Sequence, residues 1–256
     1  MSMDRRKFMR VSGLAALGLA GGASRDLLAQ ETPPDTTRAP LTGSRWALVV
    51  DLRKCMAAGD CTDCSQACHR THNVPEFDNP KDEIKWIWKE SFEHVFEEQE
   101  HEFLEEALKH VKTPVLCNHC DNPPCVRVCP TQATWKREQD GIVMMDWHRC
   151  IGCRYCVLAC PYGSRSFNWR DPRPFIKEIK PDFPTRSRGV VEKCTFCEER
   201  LARGLQPSCV EACKERALIF GDLEDPDSEV RRLLKERFTI RRKPGLGTQP
   251  EVYYMV

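Results

Sequence analysis

Beyond its first two dozen residues the sequence holds no apolar run long enough to cross a bilayer, so no membrane anchor is expected in the body of the chain. An excess of charge of one sign is lacking too. Thirty-nine Lys and Arg stand against 38 Asp and Glu, a net +1, which leaves no electrostatic footprint for nucleic acid. There is no Gly-rich nucleotide loop, no flavin fingerprint and no Ser/His/Asp set, and these absences leave no candidate catalytic residue. The 256 residues accommodate one large domain or two small ones. What the sequence does have is cysteine, 16 in all, a density below that of short disulfide scaffolds.

The N-terminus reads as a targeting segment. DRRKFMR carries the twin arginines Arg5 and Arg6 with Phe8, and VSGLAALGLAGGA follows as a moderately apolar stretch too short to span a membrane. A twin-arginine route carries folded proteins, commonly with cofactors already inserted, so the expected location is periplasmic. Residues 1–30 are assigned to the signal and the start of a linker; SRDLLAQETPPDTTRAPLT, 24–42, is polar and proline-containing.

The cysteines fall into four groups with none left over: Cys55, Cys61, Cys64, Cys68 (group I); Cys117, Cys120, Cys125, Cys129 (II); Cys150, Cys153, Cys156, Cys160 (III); and Cys194, Cys197, Cys209, Cys213 (IV). An internal repeat links them. VVDLRKC precedes group I and VMMDWHRC precedes group III, each with an aspartate (Asp51, Asp146) four positions before the cysteine. Groups II and IV are each followed by an alanine four positions on (Ala133, Ala217) and then by strand-like residues. TWKREQDGIVMM, between groups II and III, predicts a hairpin around Asp140–Gly141. By the repeat, groups I and IV form a second such unit, with Leu218–Phe220 near Ala47–Val50.

The expected organisation is α+β: two ferredoxin-like double-cluster units with a helical insertion and extended loops. The units span 43–75 plus 186–225 and 113–175; the insertion spans 76–112 and a C-terminal extension 226–256. Residues 81–110 are rich in glutamate and free of Gly and Pro, which predicts a helix with Trp88, Phe92, Val95, Phe96, Phe103, Leu104 and Leu108 as apolar contacts. His94 and His101, with Glu97 and Glu98 between them, read as a solvated face of that helix rather than a metal site.

Disulfides suit an exported protein, yet a run such as C-x2-C-x2-C-x3-C cannot easily cross-link internally. Zinc ribbons need pairs of C-x2-C, and group IV alone resembles half of one. Iron–sulfur clusters account for all sixteen. In bacterial ferredoxins the fourth cysteine of C-x2-C-x2-C-x3-C-P ligates the other cluster, and prolines follow Cys129 and Cys160 here (Pro130, Pro161). Group I departs from the pattern in its wide first gap, and Lys214 follows Cys213 where proline is common. The exchange rule predicts four [4Fe-4S] sets: Cys117, Cys120, Cys125 with Cys160; Cys150, Cys153, Cys156 with Cys129; Cys55, Cys61, Cys64 with Cys213; Cys194, Cys197, Cys209 with Cys68. Interlocked sets make a wire with no iron left open for substrate, so an electron-transfer subunit is expected rather than an enzyme in its own right. His119 and His148 flank cysteines and could replace a ligand, but are expected instead to tune by hydrogen bonding; Arg165, Arg170 and Arg173 offset reduced-cluster charge, face a partner or are plain surface residues. Residues 1–23 carry a side-chain charge of +3, so the chain beyond them stands at −2. Each oxidised cluster with its thiolates adds about −2 more, which makes the loaded form acidic.

PVLCNHCDNPPCVRVCPTQAT and GIVMMDWHRCIGCRYCVLACPYGSRSFN resemble the four-cluster iron–sulfur subunits of bacterial respiratory complexes, the DmsB, NrfC and TtrB superfamily. WIWKESFEHVF, PTRSRGVVEKCTFCEERLARG, FGDLEDPDSEV and RRKPGLGTQPEVYY are similar to the DsrO-type members, exported subunits of the Dsr membrane redox complex of sulfur metabolism. That resemblance implies an NrfD-type polytopic quinone-interacting membrane subunit, a multihaem cytochrome c, and further Dsr-type membrane and cytoplasmic subunits as partners. It also implies membrane association through them. The alternatives are the same wire serving a periplasmic molybdopterin oxidoreductase of tetrathionate or polysulfide reductase type, and a structural zinc or disulfide protein.

Overall fold

Two short hydrogen bonds lie at the origin of the repeat. The Asp51 N–H donates to the Ala217 carbonyl at 2.7 Å, and the Asp146 N–H donates to the Ala133 carbonyl at 2.7 Å. Each aspartate side chain then turns the chain toward its cysteines. Asp51 Oδ1 accepts from the Lys54 N–H at 3.1 Å, and Asp146 Oδ1 accepts from the His148 N–H at 2.8 Å. An aspartate at such a position caps a turn by satisfying amides that have no backbone partner.

The computed structural model describes residues 38–99, 102–103 and 106–256. Arg5, Arg6, Phe8 and the rest of the targeting segment, with His101 and Leu104, lie outside the described residues. In chain order, β1 (Trp46–Asp51) leads into α1 (Leu52–Ala57) and α2 (Asp63–Thr71). β2 (Ile87–Ser91), α3 (Phe92–Val95) and α4 (Glu106–Lys109) precede β3 (Lys112–Leu116), which delivers Cys117. After α5 (Pro124–Arg127) come the hairpin strands β4 (Thr134–Lys136) and β5 (Val143–Met145), then α6 (Tyr155–Ala159). β6 (Ser166–Phe167) and β7 (Val191–Glu192) bring the chain to α7 (Glu198–Leu201), α8 (Ser208–Glu211) and β8 (Leu218–Asp222). α9 (Glu229–Glu236), β9 (Thr239–Ile240) and β10 (Val252–Met255) close it. The fold is thus a mixed α/β arrangement of small sheets, consistent with a ferredoxin-like double-cluster architecture. Among the described residues no helix is long and apolar enough to cross a membrane.

The predicted hairpin forms, with Thr134 opposite Met145. β1 and β8 pair antiparallel with Leu48 opposite Phe220, the proximity that the repeat predicts for Ala47–Val50 and Leu218–Phe220. The C-terminal extension adds to this sheet: β10 runs parallel to β1, Leu48 opposite Val252, in the order β8-β1-β10-β9. β1 is therefore central, and all six of its residues are buried.

The single helix expected over 81–110 is not what forms. Its first half holds β2, which pairs antiparallel with β3, Trp88 opposite Val115; α3 and α4 have four residues each. Glutamate content favours a helix, but Ile84, Trp86 and Ile87 are all buried. Burial of that compact apolar cluster, with a backbone partner available in β3, outweighs local propensity. His94 sits exposed on α3, 3.1 Å from Glu90 Oε1.

Candidate cluster-binding sites

All sixteen cysteines are free of disulfides. Four short helices distribute them. α2 carries Cys64 and Cys68, α5 carries Cys125 with Cys129 just beyond it, α6 carries Cys156 with Cys160 at its end, and α8 carries Cys209 with Cys213 beyond. In each, the two cysteines stand four residues apart, about one helical turn; Cys64 and Cys213 line one cavity while Cys68 and Cys209 line another.

Cys55, Cys61, Cys64 and Cys213 line one cavity of about 310 Å³, together with Lys89, Lys214 and Leu218. Cys68, Cys194, Cys197 and Cys209 line a second, walled by Leu48, Ile87, Leu116, Phe196 and Phe220. Cys117, Cys120, Cys125 and Cys160 line a third, with Pro123, Pro124, Pro161, Tyr162 and Arg165. Cys129, Cys150 and Cys156 pack in one apolar cluster with Cys125, Ala133, Val143, Met145 and Val191, while Cys153 is half-buried outside that cluster. Apolar walls around grouped thiols suit a cofactor that is itself anionic and must be shielded from water.

The loops have a shared backbone signature. The residue just before the second cysteine of C-x2-C has positive φ in groups II, III and IV: His119 at 41°, Gly152 at 70°, Phe196 at 56°. Group I differs: its equivalent residue, Asp63, has no positive φ and opens helix α2. Gly152 is required by packing as well, because a Cβ there would run into the Gly189 carbonyl oxygen.

Backbone amides aim at sulfur. The Ala217 N–H donates to Cys213 Sγ at 3.2 Å, and the Phe196 N–H to Cys194 Sγ at 3.4 Å. At Cys129 burial would raise the thiol, but the Thr134 amide, the Thr131 hydroxyl and the amides of Thr131 and Ala133 hold it below its ordinary value. The repeated alanine thus places a main-chain donor on the fourth cysteine of its group. Elsewhere burial dominates: it pushes the metal-free thiols of Cys55, Cys120 and Cys194 up to about 12, and Cys68 and Cys209 well up.

The flanking polar residues divide clearly. His119 is buried, accepts from the Val143 N–H at 3.2 Å through Nδ1, and stacks on Phe196 with centroids 3.7 Å apart. Burial, then the neighbouring Lys193, hold its pKa well below the ordinary value, so it stays neutral. His148 is exposed. Arg165 is buried and donates to Cys125 Sγ at 3.0 Å and Thr134 Oγ1 at 2.8 Å. Arg170 and Arg173 are surface residues paired with Asp82 and Asp171. Lys214 pairs with Asp63 at 2.9 Å.

Sequence reasoning missed Lys193, which is fully buried beside Cys194; its Nζ donates to the Cys194 carbonyl at 2.6 Å and to the Val143 carbonyl. It also missed the buried ion pair Arg186–Glu192 at 2.6 Å. The only sequence signal for the former is its place directly before a cysteine.

Sixteen free cysteines, twelve of them lining three cavities in fours, define an iron–sulfur protein of the double-dicluster kind. A model of the 4Fe-4S dicluster domain matches residues 108–173 and 180–223. The chain is 40% identical to the Hdr-like menaquinol oxidoreductase iron–sulfur subunit 1 of Archaeoglobus fulgidus, over 98% of this chain and 97% of that protein. It is 37% identical to a tetrathionate reductase subunit of Salmonella typhimurium, over 100% and 89%, and 33% identical to protein NrfC of Escherichia coli, over 99% and 95%. The chain belongs to this family of iron–sulfur electron-transfer subunits and carries four [4Fe-4S] clusters.

Proposed function

We propose that this chain is the exported, periplasmic electron wire of a Dsr-type sulfur-metabolism complex, relaying electrons between a quinone-interacting membrane subunit of NrfD type and other redox subunits, among them a multihaem cytochrome c. The observation that carries the reading is the near full-length likeness to an Hdr-like menaquinol oxidoreductase subunit. The chain's arrangement agrees with it: α2 and α8 each carry cysteines toward two different cavities, and each predicted set supplies four thiols. The four ligand sets are those of the exchange rule: Cys55, Cys61, Cys64 with Cys213; Cys194, Cys197, Cys209 with Cys68; Cys117, Cys120, Cys125 with Cys160; Cys150, Cys153, Cys156 with Cys129. The two units are 43–75 plus 186–225, and 113–175. A second reading, the wire of a periplasmic molybdopterin oxidoreductase, is favoured by the likeness to the tetrathionate reductase subunit along the whole chain. The test is anaerobic affinity capture from detergent-solubilised native membranes with mass spectrometry. A polytopic quinone-reactive subunit with a multihaem cytochrome supports the first reading; a large molybdopterin subunit replaces it with the second.

A further inference from the structure

Four basic side chains are buried among the described residues: Arg165, Arg186, Lys193 and Arg242. Arg186 is neutralised by Glu192, which is equally buried. The other three pair with no carboxylate among the described residues; Arg165 and Lys193 border one site, and Arg242 stands behind a tyrosine that lines it. Arg165 lines the cavity of Cys117, Cys120, Cys125 and Cys160 and donates directly to Cys125 Sγ. Lys193 lies at its edge toward Cys194, with Cys117, Cys194 and Cys125 as its electrostatic neighbours. Its Nζ is fixed by the carbonyls of Val143 and Cys194. The Arg242 guanidinium stands 5.3 Å from the ring centroid of Tyr162, which lines the same cavity, and its Nε and Nη1 have no hydrogen-bond partner among the described residues.

An unpaired buried cation is costly unless an anion compensates it. Here the anion at hand is the cluster with its thiolates, at about −2 when oxidised and one charge more when reduced. Fixed positive charge therefore favours the reduced state of the nearest cluster. Among the described residues the neighbouring site of Cys156 shares Arg165 with this one, but no other site gathers all three cations. The cavity of Cys68, Cys194, Cys197 and Cys209 is apolar except where it meets Lys193, and Lys89 and Lys214 at the Cys55 cavity reach solvent.

We propose that Arg165, Lys193 and Arg242 make the cluster of Cys117, Cys120, Cys125 and Cys160 the electron sink of the row, the first of the four to be reduced. The inference rests on the ligand sets proposed above. His119 and Phe196, stacked across the same junction, give this sink close contact with the Cys194 loop. The three cations act as positioning residues for the relay, Lys193 and Arg242 through charge and Arg165 through charge together with its hydrogen bond to Cys125 Sγ.

The experiment is EPR-monitored redox titration of the cluster-loaded protein and its variants, with iron and sulfide measured on each. Cys120→Ser and Cys160→Ser should alter the same signal, and in the unmodified protein that signal should be the first to appear on reduction. Lys193→Met and Arg242→Met should each lower the reduced-to-oxidised ratio of that cluster at fixed ambient potential, Lys193→Met by about tenfold, equivalent to 59 mV for one electron. Arg165→Lys should retain most of the wild-type potential, and Arg165→Met should not. If the two cysteine variants alter different signals, the ligand assignment fails. If they alter the same signal but it is not the first reduced, or if fully loaded Lys193→Met and Arg242→Met leave its potential in place, the sink proposal is overturned. Should Lys193→Met fail to load, Arg242→Met, which contacts no cysteine, and the order of reduction in the unmodified protein still decide.

Discussion

Replacing Glu192 with alanine should destabilise the loaded protein by about 4 kcal/mol. Glu192 is fully buried in a node that joins four separate segments. Its Oε2 accepts from Arg186 Nη2 at 2.6 Å and Trp86 Nε1 at 2.9 Å, and its Oε1 from Asn168 Nδ2 at 2.6 Å. Arg186 also donates to the carbonyls of His72 at 2.5 Å and Asn73 at 2.8 Å, and lies near the rings of Trp86, Trp147 and Phe183. Removing one member of a buried pair costs about 3–5 kcal/mol, and orphaning two further donors adds about 1 kcal/mol each. Because the carbonyls of His72 and Asn73 still hold Arg186, its own cost falls to about 2 kcal/mol, which with the two orphaned donors gives about 4 kcal/mol. Total stability is typically only about 5–15 kcal/mol, so the loss is severe. With a guanidinium m-value of roughly 5 kcal/mol/M for a chain this long, the midpoint should fall by roughly 0.8 M. The assay is anaerobic guanidinium unfolding, followed in parallel by cluster absorbance and far-ultraviolet circular dichroism. The double variant Arg186→Met/Glu192→Met should recover most of the loss, because no charge is then stranded. A shift below about 0.2 M for Glu192→Ala, or a double variant no better than the single, would refute the reasoning.

Gly152→Ala should lose the Cys153-set cluster selectively, at a cost of about 1–3 kcal/mol, because the Cβ meets the Gly189 carbonyl and the Phe167 ring at 3.0 Å; EPR with iron content checks it. Arg137→Met removes bonds of 2.9 and 2.6 Å to Asp140 and one of 3.0 Å to Glu198, and should lower stability by about 1–2 kcal/mol, read as an earlier unfolding midpoint, without loss of iron. For the cluster-free chain, burial raises Cys55, Cys120 and Cys194 from 9.0 to about 12. A thiol whose pKa is raised on folding contributes stability that is fully present below the unfolded value and lost as pH climbs through the folded one. The cluster-free fold should therefore weaken from about pH 9 upward, while the loaded form, with thiolates on iron, should not; circular dichroism against pH separates the two.

The presence of the clusters was legible because ligation leaves a rigid imprint on spacing, and the alanine and aspartate repeats are visible as identities at fixed offsets. Asp51, Asp146, Ala133 and Ala217 proved to be the ends of two matching hydrogen bonds. The 81–110 segment misled because glutamate carries a local helical preference, whereas β2 exists through its pairing with β3, whose partner residues are remote in sequence. β10 was hidden for a related reason: EVYYMV alternates as a strand should, but nothing local says that it joins β1 in parallel. Lys193 escaped notice because lysine is almost always solvated. Its burial makes sense only beside the negative charge that the clusters bring.

Exchange of the fourth cysteine between groups is the central claim, and Cys213→Ser tests it most directly, since group I has the least regular spacing. Iron, sulfide and EPR spectra would be compared with those of Cys61→Ser and Cys197→Ser. The account predicts about sixteen iron and sixteen sulfide in the unmodified chain, fewer in Cys213→Ser, and a perturbed signal shared with Cys61→Ser. A perturbed signal shared instead with Cys197→Ser would mean that group IV closes on its own cysteines, contradicting the interlocked wire.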